Sequence, residues 1–269
     1  MTVRIAQITD SHVTPAGVLW KGRVDGGAAL ARAVSRLNAI GIDLVVHTGD
    51  LTDRGDPHAT ARAAEILSGL DAPLRVLPGN HDDRAGLRAA FPDQIFAPGD
   101  FLNWSEDRAG LRIIGLDTTH PGETGGRLCA DRGAWLAQEL GDGAPGDRPS
   151  LMFAHHPPCA MGLAFMDGWP FEGSARFAAL LAGRAPLRIA CGHVHCAAER
   201  HWAATLVSAC PALNVAIPLD AGRDAALGFM LEPPAIRLHD WDETLGLRVR
   251  SVPLTPGPGP FFWFDPREG

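Results

Sequence analysis

The feature that most constrains the fold is a short, mostly apolar run at residues 42–46, which ends in His47-Thr48-Gly49-Asp50. Its β-branched residues predict a buried strand of a parallel sheet, because such strands are covered on both faces. This strand would place Asp50 at its carboxyl end. A Gly-Asp pair after a strand is by itself most often a turn, so the role of Asp50 depends on its neighbours.

Four further predicted strands end in the same kinds of residue. Each is followed at once by Asp, Asn or His, and the carboxyl ends of parallel strands meet at one edge of a sheet. We therefore expect these polar groups to gather in one cleft. The segments are Asp10-Ser11-His12, Gly79-Asn80-His81-Asp82, His155 and Gly192-His193-Val194-His195.

The first half of the chain alternates strands with helices. Helical patterns cover residues 28–40, residues from Asp56-Pro57 to about 70, and a short stretch to about 91. Asp56 followed by Pro57 is typical of an N-cap with proline in the first turn. Alternation of this kind predicts an α/β fold with parallel strands and crossover helices.

The second half of the chain is richer in strands. Residues 101–106 and 111–116 predict a hairpin, and Asp131 is expected to cap a helix that ends at Leu140. After His195, five strand-like runs separated by tight turns predict antiparallel strands that close a second sheet. These runs cover residues 198–202, 205–209, 228–231, 235–239 and 247–252.

Composition excludes several classes of function. A net charge of -7 argues against a surface that binds long nucleic acid, and no apolar stretch is long enough for a membrane span. The N-terminal residues enter a strand pattern directly, so we expect no signal peptide. Five cysteines, odd in number and without a Cys-x-x-Cys pair, suit reduced thiols. These features predict a cytoplasmic protein, with Cys191 and Cys196 as buried residues rather than ligands.

The polar segments have the composition of a dinuclear metal site. Two divalent cations held close together need carboxylate, imidazole and carbonyl-oxygen donors, and one group that bridges them. Asp10 and His12 would point the same way if alternate residues beyond the strand are extended, and so would His193 and His195. Gly192 would let the backbone approach closely. Each motif alone is a weak signal, but their combination is strong.

These motifs together resemble those of the calcineurin-like metallophosphoesterases. The match comprises Asp10-x-His12, Gly49-Asp50-x-x-Asp53, Gly79-Asn80-His81-Asp82, His155 and Gly192-His193-x-His195. Within that family the pattern looks like the branch of class III cyclic nucleotide phosphodiesterases and glycerophosphodiesterases. The resemblance implies a four-layer αββα sandwich. We expect a catalytic domain at residues 1–212 and a strand-rich C-terminal extension at 213–269, acting as a cap or a dimerisation element.

The resemblance also implies a role for each matched residue. Two divalent metal ions are expected, which in the family are iron, manganese, zinc or cobalt, and Asp50 would bridge them. His81 would face the phosphate as a hydrogen-bond donor or general acid, with Asp82 as its candidate orienting group. The resemblance assigns no contact to Asp53, which would either belong to a turn or orient a ligand histidine. His156 could touch the substrate because it adjoins His155. The first metal would be held by Asp10, His12, Asp50 and His195, and the second by Asp50, Asn80, His155 and His193.

The implied activity is hydrolysis of a small phosphodiester by a hydroxide that bridges the two metals. The substrate would be a glycerophosphodiester or a 3′,5′-cyclic nucleotide. A phosphomonoesterase or a nuclease of the same superfamily is the alternative, and a non-catalytic scaffold is disfavoured because every ligand position is filled. Apolar residues in the loop 159–173 and in the tail 261–264 need cover. They favour a homodimer or a higher homo-oligomer, with capping of a monomer's sheet as the other interpretation.

Overall fold

Two β-sheets and five α-helices make up the part of the chain that the computed structural model describes, which is residues 2–141, 148–218, 228–258 and 261. The strands are β1 (Val3–Ile8), β2 (Leu44–Thr48), β3 (Leu74–Leu77), β4 (Trp104–Arg108), β5 (Leu111–Leu116), β6 (Ser150–Ala154), β7 (Arg188–Cys191), β8 (Ala198–Trp202), β9 (Thr205–Ala209), β10 (Ala235–Asp242) and β11 (Gly246–Pro253). The helices are α1 (Gly26–Ile40), α2 (Pro57–Leu67), α3 (Arg84–Ala90), α4 (Ala130–Leu140) and α5 (Ser174–Leu180).

The first sheet has the strand order β11-β10-β1-β2-β3, and the second has the order β4-β5-β6-β7-β9-β8. Strands β1, β2 and β3 are parallel, as are β5, β6, β7 and β9. The parallel strands of each sheet therefore present their carboxyl ends at one edge. This agrees with the alternation of strands and helices predicted for the first half of the chain.

Three apolar layers hold the elements together. Side chains of β1 and β2, including Ile5 and Leu44, pack against Ile113 and Phe153 of the second sheet. Helices α1 to α3 cover the other face of the first sheet, and α4 and α5 cover the outer face of the second. The order of layers is helix, sheet, sheet, helix, so the predicted αββα sandwich is confirmed.

The strand-rich end of the chain divides between the two sheets, which corrects the prediction that it closes one second sheet. Strands β8 and β9 extend the second sheet, whereas β10 pairs antiparallel with β1 and brings β11 to the edge of the first sheet. Ile236 and Leu238 of β10 lie in the core beneath the helices of the first sheet. The described part of the predicted extension thus completes a sheet that the N-terminal strand began.

Local differences from the predicted elements are small. The run at 228–231 forms only an isolated bridge between Ala216 and Met230. Helix α4 begins after Cys129, which makes no side-chain cap, while Asp131 lies in the first turn, so the predicted Asp131 cap is wrong. Residues 262–264 of the aromatic tail lie outside the described residues. No helix in the described part of the chain is long and apolar enough to span a membrane.

Candidate metal centre

Asp50 lies at the point where the ends of the two sheets meet. It follows β2, and its carboxylate is buried. Its Oδ2 lies 3.4 Å from Nε2 of His155, which follows β6 of the other sheet. The same oxygen lies 3.6 Å from Nε2 of His12. One carboxylate oxygen therefore faces a histidine from each sheet, which is the position that a bridging ligand needs.

The first group of donors surrounds Asp50 on the side of β1. Asp10, His12, Asp50 and His195 each bring one ligand atom within 4.8 Å of the others, and all four residues are buried. Nε2 of His195 lies 3.4 Å from Oδ1 of Asp10 and 3.2 Å from Nε2 of His12. The structure thus brings together the four residues that the resemblance assigned to one metal.

The second group lies on the side of β6. His155 and His193 have ring centroids 5.2 Å apart. Oδ1 of Asn80 lies 3.2 Å from Nε2 of His155, the same nitrogen that faces Asp50. His155 therefore lies close to Asp50, Asn80 and His193, the other three members of the predicted second set.

The backbone at these positions is not extended. Five of the proposed donor residues have positive φ, a conformation that non-glycine residues adopt uncommonly and that clusters at active sites and ligand-binding sites. The expectation that an extended backbone aligns Asp10 with His12, and His193 with His195, is therefore wrong. The side chains are instead directed into the site by single residues in the left-handed conformation. The φ angles are 52° for Asp10, 43° for His12, 51° for Asp50, 69° for His193 and 56° for His195.

Gly192 permits a close approach between the two sheets at the site. A Cβ atom at this position would collide with Oγ1 of Thr9 and would lie 2.7 Å from Oδ2 of Asp10. The adjacent amide of His193 donates to Oδ2 of Asp10 at 3.1 Å, and Oγ1 of Thr9 donates to the same oxygen at 2.6 Å. The predicted need for glycine at 192 is confirmed, because the turn after β7 packs directly on the end of β1.

Backbone carbonyl groups set the tautomers of two histidines. Nδ1 of His155 lies 2.8 Å from the carbonyl oxygen of Thr48, and Nδ1 of His195 lies 2.8 Å from that of Val215. A carbonyl oxygen only accepts, so each Nδ1 carries the proton. In the neutral ring the lone pair is then on Nε2, which points into the site. This is the arrangement found in metal-ligating histidines.

The donor atoms have a surplus of lone pairs that a cation would satisfy. Nε2 of His12 and Nε2 of His195 face each other at 3.2 Å. Nε2 of His193 is buried and has no hydrogen-bond partner among the described residues. Buried polar atoms rarely go without a partner in native proteins. The residues present therefore fit divalent metal ions, for which imidazole and carboxylate are suitable ligands.

The ionisation states also suit a cation. Burial alone would raise the pKa of Asp10, but His195 and His155 hold it well below its ordinary value. Burial opposes the charged form of His155, yet Asp50 and Asp10 raise its pKa to about 9, so its Nε2 carries a proton that a bound cation would displace. Burial, together with the charge of His155, lowers the pKa of His193 to about 3. The site thus keeps its carboxylates ionised and His193 neutral.

His81 lies at the open side of the site. Its amide donates to Oδ1 of Asp50 at 2.9 Å, and its ring packs edge-on against His12 with centroids 4.8 Å apart. Nδ1 lies 2.6 Å from the carbonyl oxygen of Asp53, so Nδ1 donates and Nε2 remains available. Because the ring is exposed and lines the cleft, it can meet a molecule that enters.

His156 is enclosed by the protein. Its Nδ1 lies 2.8 Å from Oγ1 of Thr118, and its Nε2 lies 3.1 Å from the carbonyl oxygen of Thr124. Nε2 must therefore donate to Thr124, which leaves Nδ1 to accept from the Thr118 hydroxyl. The ring packs against His155 and His193 with centroids 4.6 and 4.7 Å away. A contact between His156 and substrate stays a prediction.

Asp82 and Asp53 have separate structural roles. The carboxylate of Asp82 accepts from the amides of Leu51, Thr52 and Gly79 at 2.9–3.0 Å, which joins the loops after β2 and β3. It does not orient His81, as one interpretation of the sequence had it, since the ring nitrogen of His81 meets Asp53 instead. Oδ1 of Asp53 lies 3.7 Å from Nδ1 of His12, which fits the prediction that Asp53 orients a ligand histidine.

Sequence reasoning missed Trp20. Its indole Nε1 donates to Oδ1 of Asp53 at 2.7 Å, and its ring lines the same cleft as His81. Trp20 lies in the irregular loop between β1 and α1, where no period in the sequence marks which side chain faces the site. The only available signal was an exposed-looking apolar triplet, Val18-Leu19-Trp20, soon after Asp10-x-His12.

Comparison with known proteins agrees with the fold and the motifs. The model of the calcineurin-like phosphoesterase family matches residues 3–197. A probable glycerophosphodiester phosphodiesterase, GpdQ, from Arcobacter nitrofigilis is 33% identical over 265 residues, which is 96% of each protein. A cAMP/cGMP dual specificity phosphodiesterase from Mycobacterium tuberculosis is 33% identical over 268 residues, covering 94% of this chain and 80% of that protein.

A solved structure shows the same architecture. The dimetal phosphatase from Danio rerio superposes with a TM-score of 0.63 at 16% identity, over 94% of this chain and 99% of that one. At this identity the likeness concerns the fold alone. Fold, donor arrangement and family match agree, and the chain belongs to the calcineurin-like phosphoesterase family.

Proposed function

We propose that this protein is a metal-dependent phosphodiesterase that hydrolyses small phosphodiesters, either glycerophosphodiesters or 3′,5′-cyclic nucleotides. The observation that carries the proposal is the position of Asp50, whose Oδ2 faces His155 and His12 of two separate donor groups. The names of relatives that match almost the whole chain support the same reaction. The net charge of -7 disfavours a nuclease that binds long nucleic acid.

Two divalent metal ions are proposed, with iron, manganese, zinc and cobalt as candidates. Asp10, His12, Asp50 and His195 would hold one, and Asp50, Asn80, His155 and His193 the other. When bound, such a pair makes water nucleophilic near neutral pH and offsets charge on the phosphoryl oxygens. The buried Nε2 of His193, which lacks a protein partner among the described residues, supports this assignment.

His81 is proposed as the group that serves the leaving alcohol. The bond from phosphorus to the departing oxygen breaks with both electrons remaining on that oxygen, which then needs a proton. With Nδ1 fixed on the carbonyl oxygen of Asp53, Nε2 of a protonated His81 is the atom that can supply it. Asp53 thereby positions His81 through its backbone and approaches His12 through its side chain.

A substrate panel tests the proposal. The purified protein is stripped of metal, reconstituted separately with each of the four candidate metals, and assayed on glycerophosphocholine, 3′,5′-cyclic AMP, p-nitrophenyl phosphate and single-stranded DNA. We expect turnover of one or both small diesters with at least one metal. Turnover of the monoester alone, or of DNA alone, would replace this function by the corresponding alternative.

A homodimer or a higher homo-oligomer in the cytoplasm is also proposed, since dimers are the commonest assembly. The cysteines at 129, 159, 191, 196 and 210 are all unpaired, which supports a reducing compartment. Light scattering of the full chain, and of a chain that ends at Thr255, tests the assembly and the proposed role of the segment 213–269. A full chain that is monomeric in solution would contradict the proposed oligomer. Fractionation of the source cells tests the compartment.

A further inference from the structure

One wall of the cleft above the candidate metal ligands is formed by Trp20, Lys21 and Phe229. The cleft has a volume of about 520 Å³, within the range of about 300–1,000 Å³ that small-molecule sites occupy. Its floor carries the imidazole and carboxylate donors, while Met166 and Trp169 add apolar surface to its lining. A phosphoryl group at the donors would thus leave room for an attached alcohol beside Trp20.

Trp20 is held firmly in this wall. Its indole N–H donates to Oδ1 of Asp53 at 2.7 Å. Its backbone forms a two-way bridge with Val24, with N···O distances of 2.8 and 3.1 Å. The ring of Phe229 meets the indole edge-on, with centroids 5.0 Å apart at 72°. A flat apolar surface with a fixed orientation therefore borders the space that the alcohol would occupy.

Lys21 places a positive charge on that surface. Its Nζ lies 5.7 Å from the centroid of the Trp20 ring, within cation–π range. It is the only lysine in the chain. Apart from histidines, it is the only basic side chain among the described residues that line the cleft. The carboxylate of Asp53, which also lines the cleft, is already engaged by the indole N–H and faces His12.

We propose that Trp20 and Lys21 are specificity-determining residues that favour phosphodiesters with a neutral planar ring on the alcohol, as in a nucleoside, over those with an ammonium headgroup. Aromatic faces attract both planar rings, by stacking, and cations. Here the ammonium of Lys21 already lies over the indole and repels a second cation. The inference rests on the proposed function for the reaction itself, but the selection it describes is a property of binding.

Equilibrium binding provides the test. Manganese-reconstituted protein is titrated calorimetrically with adenosine 5′-monophosphate and with phosphocholine, which share a phosphate and differ in the attached group. We expect the wild type to bind the nucleotide at least tenfold more tightly. Trp20→Leu should reduce this preference by about tenfold, and Trp20→Phe, which keeps a ring, by no more than about threefold. Lys21→Gln should tighten phosphocholine binding by about fivefold.

Arg23→Gln is the matched control, because Arg23 is an exposed cation in the same turn and does not line the cleft. Its preference should equal that of the wild type. Equal weakening of both ligands in Trp20→Leu, an equal loss in Trp20→Leu and Trp20→Phe, or no preference in the wild type would each overturn the inference. Circular dichroism identifies any variant that fails to fold. If a Trp20 variant fails to fold, the effect of Lys21→Gln on phosphocholine binding decides whether the inference holds.

The outcome separates this inference from the proposed function. Hydrolysis of small diesters without a nucleotide preference in binding would remove the inference and leave the function. If substitutions at Trp20 and Lys21 changed the binding preference as expected, but the protein hydrolysed no diester with any of the four metals, the inference would stand and the proposed function would fall.

Discussion

At the residue scale, Asp50 is where the two donor groups meet. Asp50→Asn keeps the shape of the side chain but removes the charge that faces His12 and His155. We expect metal content to fall from two ions per chain to one or none, and turnover to fall by at least about 10³-fold. Elemental analysis and steady-state kinetics measure both. Asp107→Asn, an exposed carboxylate on the hairpin, is the control. Two tightly held ions in Asp50→Asn would refute the bridging role.

A second residue-scale prediction separates His81 from metal binding. His81→Ala should lower kcat by ~10²–10⁴, the usual contribution of a positioned acid or base, with metal content unchanged. The loss should shrink on a p-nitrophenyl diester, whose leaving group needs no proton. His58→Ala, at an exposed position on α2, serves as the comparison. Equal losses on activated and unactivated diesters would assign His81 to phosphate binding alone.

At the scale of elements, the turn after β7 must pack on the end of β1. Gly192→Ala introduces a methyl group that collides with Thr9 and crowds Asp10, so the turn that carries His193 must shift. We expect metal affinity to weaken by at least about tenfold, because ligand positions tolerate little displacement. Competition with a chelator measures this. Gly257→Ala, where a Cβ meets nothing within 4 Å, should match the wild type. Unchanged affinity in Gly192→Ala would contradict the packing argument.

The same elements show what the sequence could predict. Strand patterns that end in Asp, Asn or His identified the seven proposed donors, because the carboxyl ends of parallel strands share one edge. The pairing of β10 with β1 was not predictable, since the contact joins residues about 235 positions apart and alternation does not name a partner. The left-handed backbone at His193 and His195 was also invisible, because neither is a residue type that requires it. Trp20 escaped notice for want of any period in its loop.

At the scale of the whole molecule, a buried polar cluster joins the two sheets. Nε2 of Gln7 on β1 donates to the carbonyl oxygen of Cys191 on β7 at 3.0 Å. Oε1 of the same side chain lies 3.2 Å from Nε2 of His239 on β10. The ring of His239 packs edge-on against Phe153 of the second sheet, with centroids 5.3 Å apart. Burial, reinforced by the charges of nearby arginines, lowers the pKa of His239 well below its ordinary value.

This cluster predicts a pH dependence of stability. A histidine whose folded pKa is depressed contributes fully above its unfolded pKa of about 6.5, and its contribution is lost as the pH falls below that value. On unfolding below about pH 6.5, His239 becomes accessible and binds a proton, and His239→Gln removes this proton uptake. Between pH 7.5 and 5.5, metal-free His239→Gln should therefore lose about 1.4 kcal/mol less of its free energy of unfolding than the wild type.

Urea unfolding at the two pH values measures the difference, with His201→Gln on the exposed strand β8 as the control. The control should lose as much free energy of unfolding as the wild type. An identical loss in His239→Gln and the wild type would show that His239 gains no proton on unfolding in this range.

The seven donors come from opposite halves of the chain, four from residues 10–80 around the first sheet and three from residues 155–195 around the second. Neither half would complete the proposed centre alone, so the binding energy of the proposed ions would be released only when both halves are folded and docked. The bound ions would then hold the two sheets together at this edge. At 100 times its dissociation constant, a bound ion adds about 2.7 kcal/mol to the free energy of unfolding.

Removal of the ions should therefore make unfolding easier for both sheets together, which amide hydrogen exchange can detect. In the loaded protein, amides of β2 and β6 should exchange with solvent only through global unfolding. After chelation, exchange in both strands should speed up together, by about 100-fold for each ion whose contribution of about 2.7 kcal/mol is lost. Exchange that accelerated in β2 alone would show that each sheet opens independently of the other.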